Sequence, residues 1–87
     1  MTGEAGRLGI IAGSGMLPVY VADAARATGE DPFVFPLKNE ADQRWNGFDH
    51  ASISVGDMRQ LASLIKKHAI KRVVMSGAVK KRPNFNE

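Results

Sequence analysis

RLGIIAGSGMLP, residues Arg7–Pro18, decides the fold. Leu8–Ala12 is a short apolar run with a turn signal behind it, the pattern of a strand buried on both sides. Gly13-Ser14-Gly15 breaks that run, and a helix follows from Met16 to about Thr28. Pro18 suits the first turn of this helix, where a missing N–H costs nothing. Leu17, Val21, Ala24, Ala25 and Thr28 share one predicted apolar face, and Gly29 supplies the usual C-terminal stop. The turn has two readings. It is either a phosphate cradle or a strand-to-helix bend that needs two small residues.

Working outward, Pro32–Pro36 reads as a second strand, with prolines only at its ends, where a ladder tolerates them. Leu37–Asp49 is polar, contains Asn46-Gly47 and reads as a long loop with one helical turn around Glu40–Trp45; Trp45 and Phe48 are expected to cover a sheet edge. Ala51–Val55 alternates and reads as a third strand. Asp57 with Gln60 three residues on forms a capping box. Met58, Leu61, Ala62, Ile65 and Ala69 then recur at helical spacing, with Lys66, Lys67 and His68 favourably placed at the negative end of the helix dipole. Ile70–Met75 makes the fourth strand. Alternation of this kind predicts an α/β domain: a small, Rossmann-like, three-layer unit over residues 1–79, with a four-stranded, mainly parallel sheet and helices on both faces. Residues 80–87 read as a basic tail or the start of a linker.

Composition narrows the function classes. A chain of 87 residues holds one small domain. Without cysteine there is no disulfide, thiolate metal site or cysteine nucleophile. The longest apolar stretches are too short to span a bilayer, and Met1–Gly6 lacks the layout of a signal peptide, so the expected location is cytoplasmic. The net charge of +3 is unevenly placed. From Asp57 onward Arg59, Lys66, Lys67, Lys71, Arg72, Lys80, Lys81 and Arg82 face only Asp57 and Glu87. A phosphate-bearing partner and a merely solvated basic face both fit that asymmetry. Nucleic acid does not, because Phe85 is the only aromatic in the basic tail.

In open parallel sheets, ligands bind outside the carboxyl ends of the strands. Gly13-Ser14-Gly15 and Ser76-Gly77 both fall there, and they converge if the first and fourth strands are neighbours. Glycines let backbone N–H groups approach an anion, Ser14 adds a hydroxyl, Arg82 offers a bidentate fork and Lys80 a compact charge. Pro18 stands where the dinucleotide fingerprint needs its third glycine, and no Gly-Lys-Ser/Thr makes a P-loop. Catalytic parts are scarce. His50 and His68 are isolated, Asp57 is a cap, and Met16, Met58 and Met75 read as core. No nucleophile elbow or paired carboxylates appear.

The stretches LGIIAGSGMLP (Leu8–Pro18) and DHASISVGDMRQLASLIKKHAIKRVVMSGAVKKRP (Asp49–Pro83), at this separation, resemble the N-terminal half of bacterial UDP-2,3-diacylglucosamine pyrophosphatases of the LpxI type. The resemblance implies a Mg²⁺-dependent hydrolysis in lipid A synthesis that yields UMP and lipid X. It also implies a two-domain protein with the phosphosugar lipid held between its halves. Gly13, Ser14, Gly15, Leu17 and Pro18 would line that cleft, with Gly77, Lys80 and Arg82 nearby. The implied partners are a UDP-sugar or phosphosugar lipid, a C-terminal catalytic domain, the inner-membrane surface and a second copy of the chain. The family's catalytic aspartate and metal site belong to the C-terminal domain, so this chain is expected to be a fragment, inactive on its own. A stand-alone phosphosugar-binding or protein-interaction module is the alternative.

Overall fold

The computed structural model describes residues 6–79. Its elements are β1 (Arg7–Ala12), α1 (Leu17–Ala27), β2 (Phe33–Pro36), β3 (Asp49–His50), α2 (Met58–Lys67) and β4 (Ile70–Ser76). The strands form one four-stranded sheet in the order β3-β2-β1-β4. Every pairing is parallel. β1 therefore lies between β2 and β4, and the neighbourhood of first and fourth strands expected from connection rules is present.

Alternation along β1 divides the core in two. Leu8, Ile10 and Ala12 face α1, where they join Val34, Ala22, Ala25 and Trp45. The opposite face carries Phe33, Phe35, Leu37, Ile53 and Ile70 against Leu61 of α2. These two clusters account for the three layers: one helix on each side of the sheet, as the strand–helix alternation predicted.

Helix α1 meets the sheet through a different stripe from the one expected. Pro18, Ala22 and Ala25 are its buried residues, while Leu17 and Ala24 are exposed. Small side chains at the contact let the helix lie close to the strands, which turns Leu17 outward. Met16 and Met75, expected in the core, are also exposed. Helix α2 follows the expectation at its start, where the Asp57 carboxylate accepts from the Gln60 N–H at 3.1 Å. Its apolar contact comes from Leu61, Leu64 and Ile65, whereas Ala62 and Ala69 are exposed.

The third strand departs from prediction, for a chemical reason. Regular pairing covers only Asp49–His50, although the expected Ala51–Val55 segment does continue beside β2. The Ala51 N–H donates to Val34 O and the Ile53 N–H to Pro36 O, and the Lys38 N–H donates to Ile53 O. The rung missing between them is the one Pro36 would donate, and proline has no N–H. The ladder resumes as a single bridge between Leu37 and Ile53.

No helical turn occupies Glu40–Trp45. The chain turns earlier instead, with the Glu40 and Ala41 N–H groups donating to Leu37 O and Asn39 at φ 68°. Trp45 is buried in the α1-side core, beyond the edge-covering role expected of it. Phe48 meets it edge-on, with ring centroids 5.7 Å apart, and the Arg26 guanidinium lies 3.8 Å over the Phe48 ring.

Candidate functional site at the carboxyl ends of β1 and β4

Because β1 and β4 pair in register up to Ala12 and Ser76, the segments that leave them are held side by side. The Gly13 N–H donates to Ser76 O at 2.8 Å. Ser14 and Ala78 then exchange two backbone bonds, of 2.8 and 3.1 Å, which form an antiparallel bridge. The Ser14 hydroxyl adds a bond to Ala78 O at 3.2 Å.

This closeness explains two of the glycines. A Cβ on Gly13 would lie 2.3 Å from Ala78 O, and one on Gly77 would lie 2.8 Å from Ser14 O and 2.9 Å from Pro18 Cγ. Gly15 answers a different need. Space around it is open, but its φ of +94° favours a residue without a side chain.

The structure thus brings Gly13, Ser14, Gly15, Pro18 and Gly77 together. Leu17 stands exposed beside them at the start of α1. Lys80 and Arg82 lie outside the described residues. The loop amides already have acceptors within the chain: Ser76 O for Gly13, Ala78 O for Ser14 and the Asp42 carboxylate for Gly15, at 2.9 Å. The carboxylate therefore sits where a phosphate cradle would place its anion.

Asp42 has no place in the sequence-based set, because its distance from Gly15 along the chain hides the contact. Ser76, placed at this edge by the sequence but given no role of its own, is a second addition. It is buried, and its hydroxyl has no hydrogen-bond partner among the described residues, an unusual state for a buried polar group. A small side chain directly before Gly77 was its only sign in the sequence.

Helix α1 has no side-chain cap at Met16. Pro18 carries no N–H, and the Val19 and Tyr20 N–H groups donate to Met16 O, so little of its first turn is left to face the same edge beyond the positive end of the helix dipole. The isolated histidines have structural contacts. His68 stacks on Phe33 with centroids 4.3 Å apart, and His50 Nδ1 lies 2.9 Å from Phe48 O. No group of three or more His, Asp or Glu side chains converges to hold a metal ion among the described residues.

Two hollows flank the sheet. A shallow depression of about 760 Å³ runs along Ala62, Ile65, Lys66 and Ala69 to Ile70 and Lys71, at the start of β4 and hence away from the glycine turns. A smaller one of about 100 Å³ includes Ile11, Met75 and Val79 in its lining, at the same strand ends as those turns. Among the described residues, no helix is long and apolar enough to cross a membrane.

Comparison with known proteins identifies the family. A curated relative, the UDP-2,3-diacylglucosamine pyrophosphatase LpxI of Caulobacter vibrioides, is 30% identical over 80 residues. The match covers 92% of this chain and 28% of the relative, so the chain spans just over a quarter of that protein's length. The family model described as the LpxI N-terminal domain matches residues 7–87. With the parallel sheet and its paired glycine turns in view, the chain belongs to the LpxI N-terminal domain family.

Proposed function

We propose that this chain supplies the phosphosugar-holding part of a UDP-2,3-diacylglucosamine hydrolase, with the cleavage chemistry carried elsewhere. The observation behind this reading is the convergence of Gly13-Ser14-Gly15 and Gly77 at the carboxyl ends of adjacent parallel strands, the position open α/β sheets use for ligands. The uncapped start of α1 and the unpartnered Ser76 hydroxyl lie in the segments that meet there. The reaction is the addition of water across the pyrophosphate of UDP-diacylglucosamine, giving UMP and the diacylglucosamine 1-phosphate.

In this reading the loops hold the sugar phosphate, Lys80 and Arg82 supply positive charge, and Mg²⁺ and the catalytic aspartate belong to a partner domain. The acylated substrate brings the site to a membrane surface. Binding is tested by titrating the chain with glucosamine 1-phosphate and with UDP, comparing wild type with Ser14→Ala and Arg82→Ala. We expect saturable binding that Arg82→Ala weakens about tenfold or more, as for loss of a charge-assisted phosphate contact. Absence of binding by both ligands overturns the reading and leaves the glycines a purely structural role. With Mg²⁺ and UDP-diacylglucosamine, the chain alone is expected to release no UMP; substantial turnover would place the catalytic groups within it.

A further inference from the structure

We propose that Asp42-Gln43-Arg44 is a strap that exchanges its charge over the Gly15 amide. Asp42 holds that amide while the site is empty, and Arg44 closes on the phosphate that replaces it. The strap deepens the reading of the glycine turns as a phosphate contact, and rests on it.

The segment is short and anchored at both ends. Upstream, the Glu40 and Ala41 N–H groups donate to Leu37 O, and Glu40 is buried. Downstream, Trp45 is buried in the α1-side core. Between these anchors Asp42 and Arg44 are exposed and Gln43 is half-buried. With both ends fixed, an exchange over Gly15 moves side chains and leaves the loop in place.

The two charges are unequally engaged. Asp42 Oδ1 accepts from the Gly15 N–H at 2.9 Å and from Gln43 Nε2 at 3.1 Å. Arg44 makes no hydrogen bond or ion pair among the described residues. A ligand has room beside the turn, because nothing lies within 4 Å of the place a Gly15 Cβ would take.

The exchange follows from charge. A phosphate on the Gly15 amide stands where the carboxylate stood, and repulsion between the two anions turns Asp42 away. The same negative charge attracts Arg44. Consecutive Cα atoms are about 3.8 Å apart, so the Arg44 Cα lies within about 8 Å of the Asp42 Cα, a span that an extended arginine side chain covers. Its planar fork then pairs with two phosphate oxygens. A neutral sugar neither repels Asp42 nor attracts Arg44, so the strap favours the phosphorylated ligand over its parent sugar.

The test titrates the chain with inorganic phosphate and with glucosamine 1-phosphate at low ionic strength, following the Gly15 amide by NMR. Wild type is compared with Asp42→Asn, Arg44→Ala and Arg44→Lys, and the spectra report that each variant is folded. Asp42→Asn keeps an acceptor for the Gly15 N–H and removes the competing charge. It is expected to tighten both ligands about fivefold, the scale of an exposed charge interaction. Arg44→Ala should weaken them about tenfold, and Arg44→Lys should fall between, as a point charge without the fork.

Wild-type affinity in either Asp42→Asn or Arg44→Ala overturns the exchange. So does weaker binding in Asp42→Asn, which makes the carboxylate a brace for the turn, or binding that leaves the Gly15 amide signal unmoved. If glucosamine 1-phosphate binds all four proteins equally, the strap fails and the phosphate reading stands. If neither probe binds wild type or Asp42→Asn, both fail.

Discussion

At the residue scale, Gly13 and Gly15 look interchangeable in the sequence, yet the structure uses them for different reasons. Gly13 is a matter of space, because a methyl group there would press on the Ala78 carbonyl at 2.3 Å, and that neighbour is backbone. Gly15 is a matter of dihedral angle, with open space around it and φ at +94°. Gly13→Ala should therefore destabilise the fold by about 2–3 kcal/mol, since two strand exits must move apart. Gly15→Ala should cost about 1 kcal/mol, the ordinary penalty for a side chain in the left-handed region. Urea unfolding of both variants checks the order, and equal losses would refute the division of roles. The Gly15 N–H already rests on the Asp42 carboxylate, so a ligand phosphate reaching that amide must first displace a resident anion.

At the scale of elements, the two ends of α2 are built unequally. Its start carries one half of the expected capping box, the Asp57 carboxylate on the Gln60 N–H, while the Asp57 N–H donates to Ser54 O; Asp57→Ala should cost about 1 kcal/mol. Its end passes through Ala69 at φ 56°, a left-handed position that helices normally give to glycine. Ala69→Gly should thus raise stability by about 0.5–1 kcal/mol, an uncommon sign for a glycine substitution in a helical region. Thermal melts of the two variants should shift in opposite directions.

The same elements show what was legible in advance. Capping and stop signals act over three or four residues, so Asp57, Gly29 and the β1-to-α1 turn could be read locally. The buried face of α1 could not, because Leu17 and Pro18 compete for the sheet and only the packed structure decides in favour of the smaller contact. The broken third strand depended on Pro36 in a neighbouring strand, and Asp42 reached Gly15 through a loop. Each of these is a relation between distant segments that one-dimensional periodicity does not carry.

At the scale of the whole molecule, β4 is the outermost strand beside β1 among the described residues. Val73, Val74 and Met75 are 40%, 41% and 64% exposed, although a Val-Val-Met run is typical of a strand covered on both faces. Leu17 and Tyr20 of α1 add further exposed apolar surface. An open apolar edge of this kind pairs readily with another strand. The isolated chain is therefore expected to self-associate as its concentration rises, and Val74→Lys should shift it towards monomer. Light scattering across a concentration series measures this, and a wild-type chain that stays monomeric at high concentration refutes it.

The bridge between Ser14 and Ala78 also sets a tether length. Consecutive Cα atoms are about 3.8 Å apart. Each residue added along the chain beyond that bridge therefore adds at most about 3.8 Å to the reach from the pinned backbone. In the proposed reading, so short a tether would give the Lys80 and Arg82 charges a high effective concentration around the glycine turn. Lengthening the stretch after Ala78 by a few residues would dilute them there without altering a single side chain.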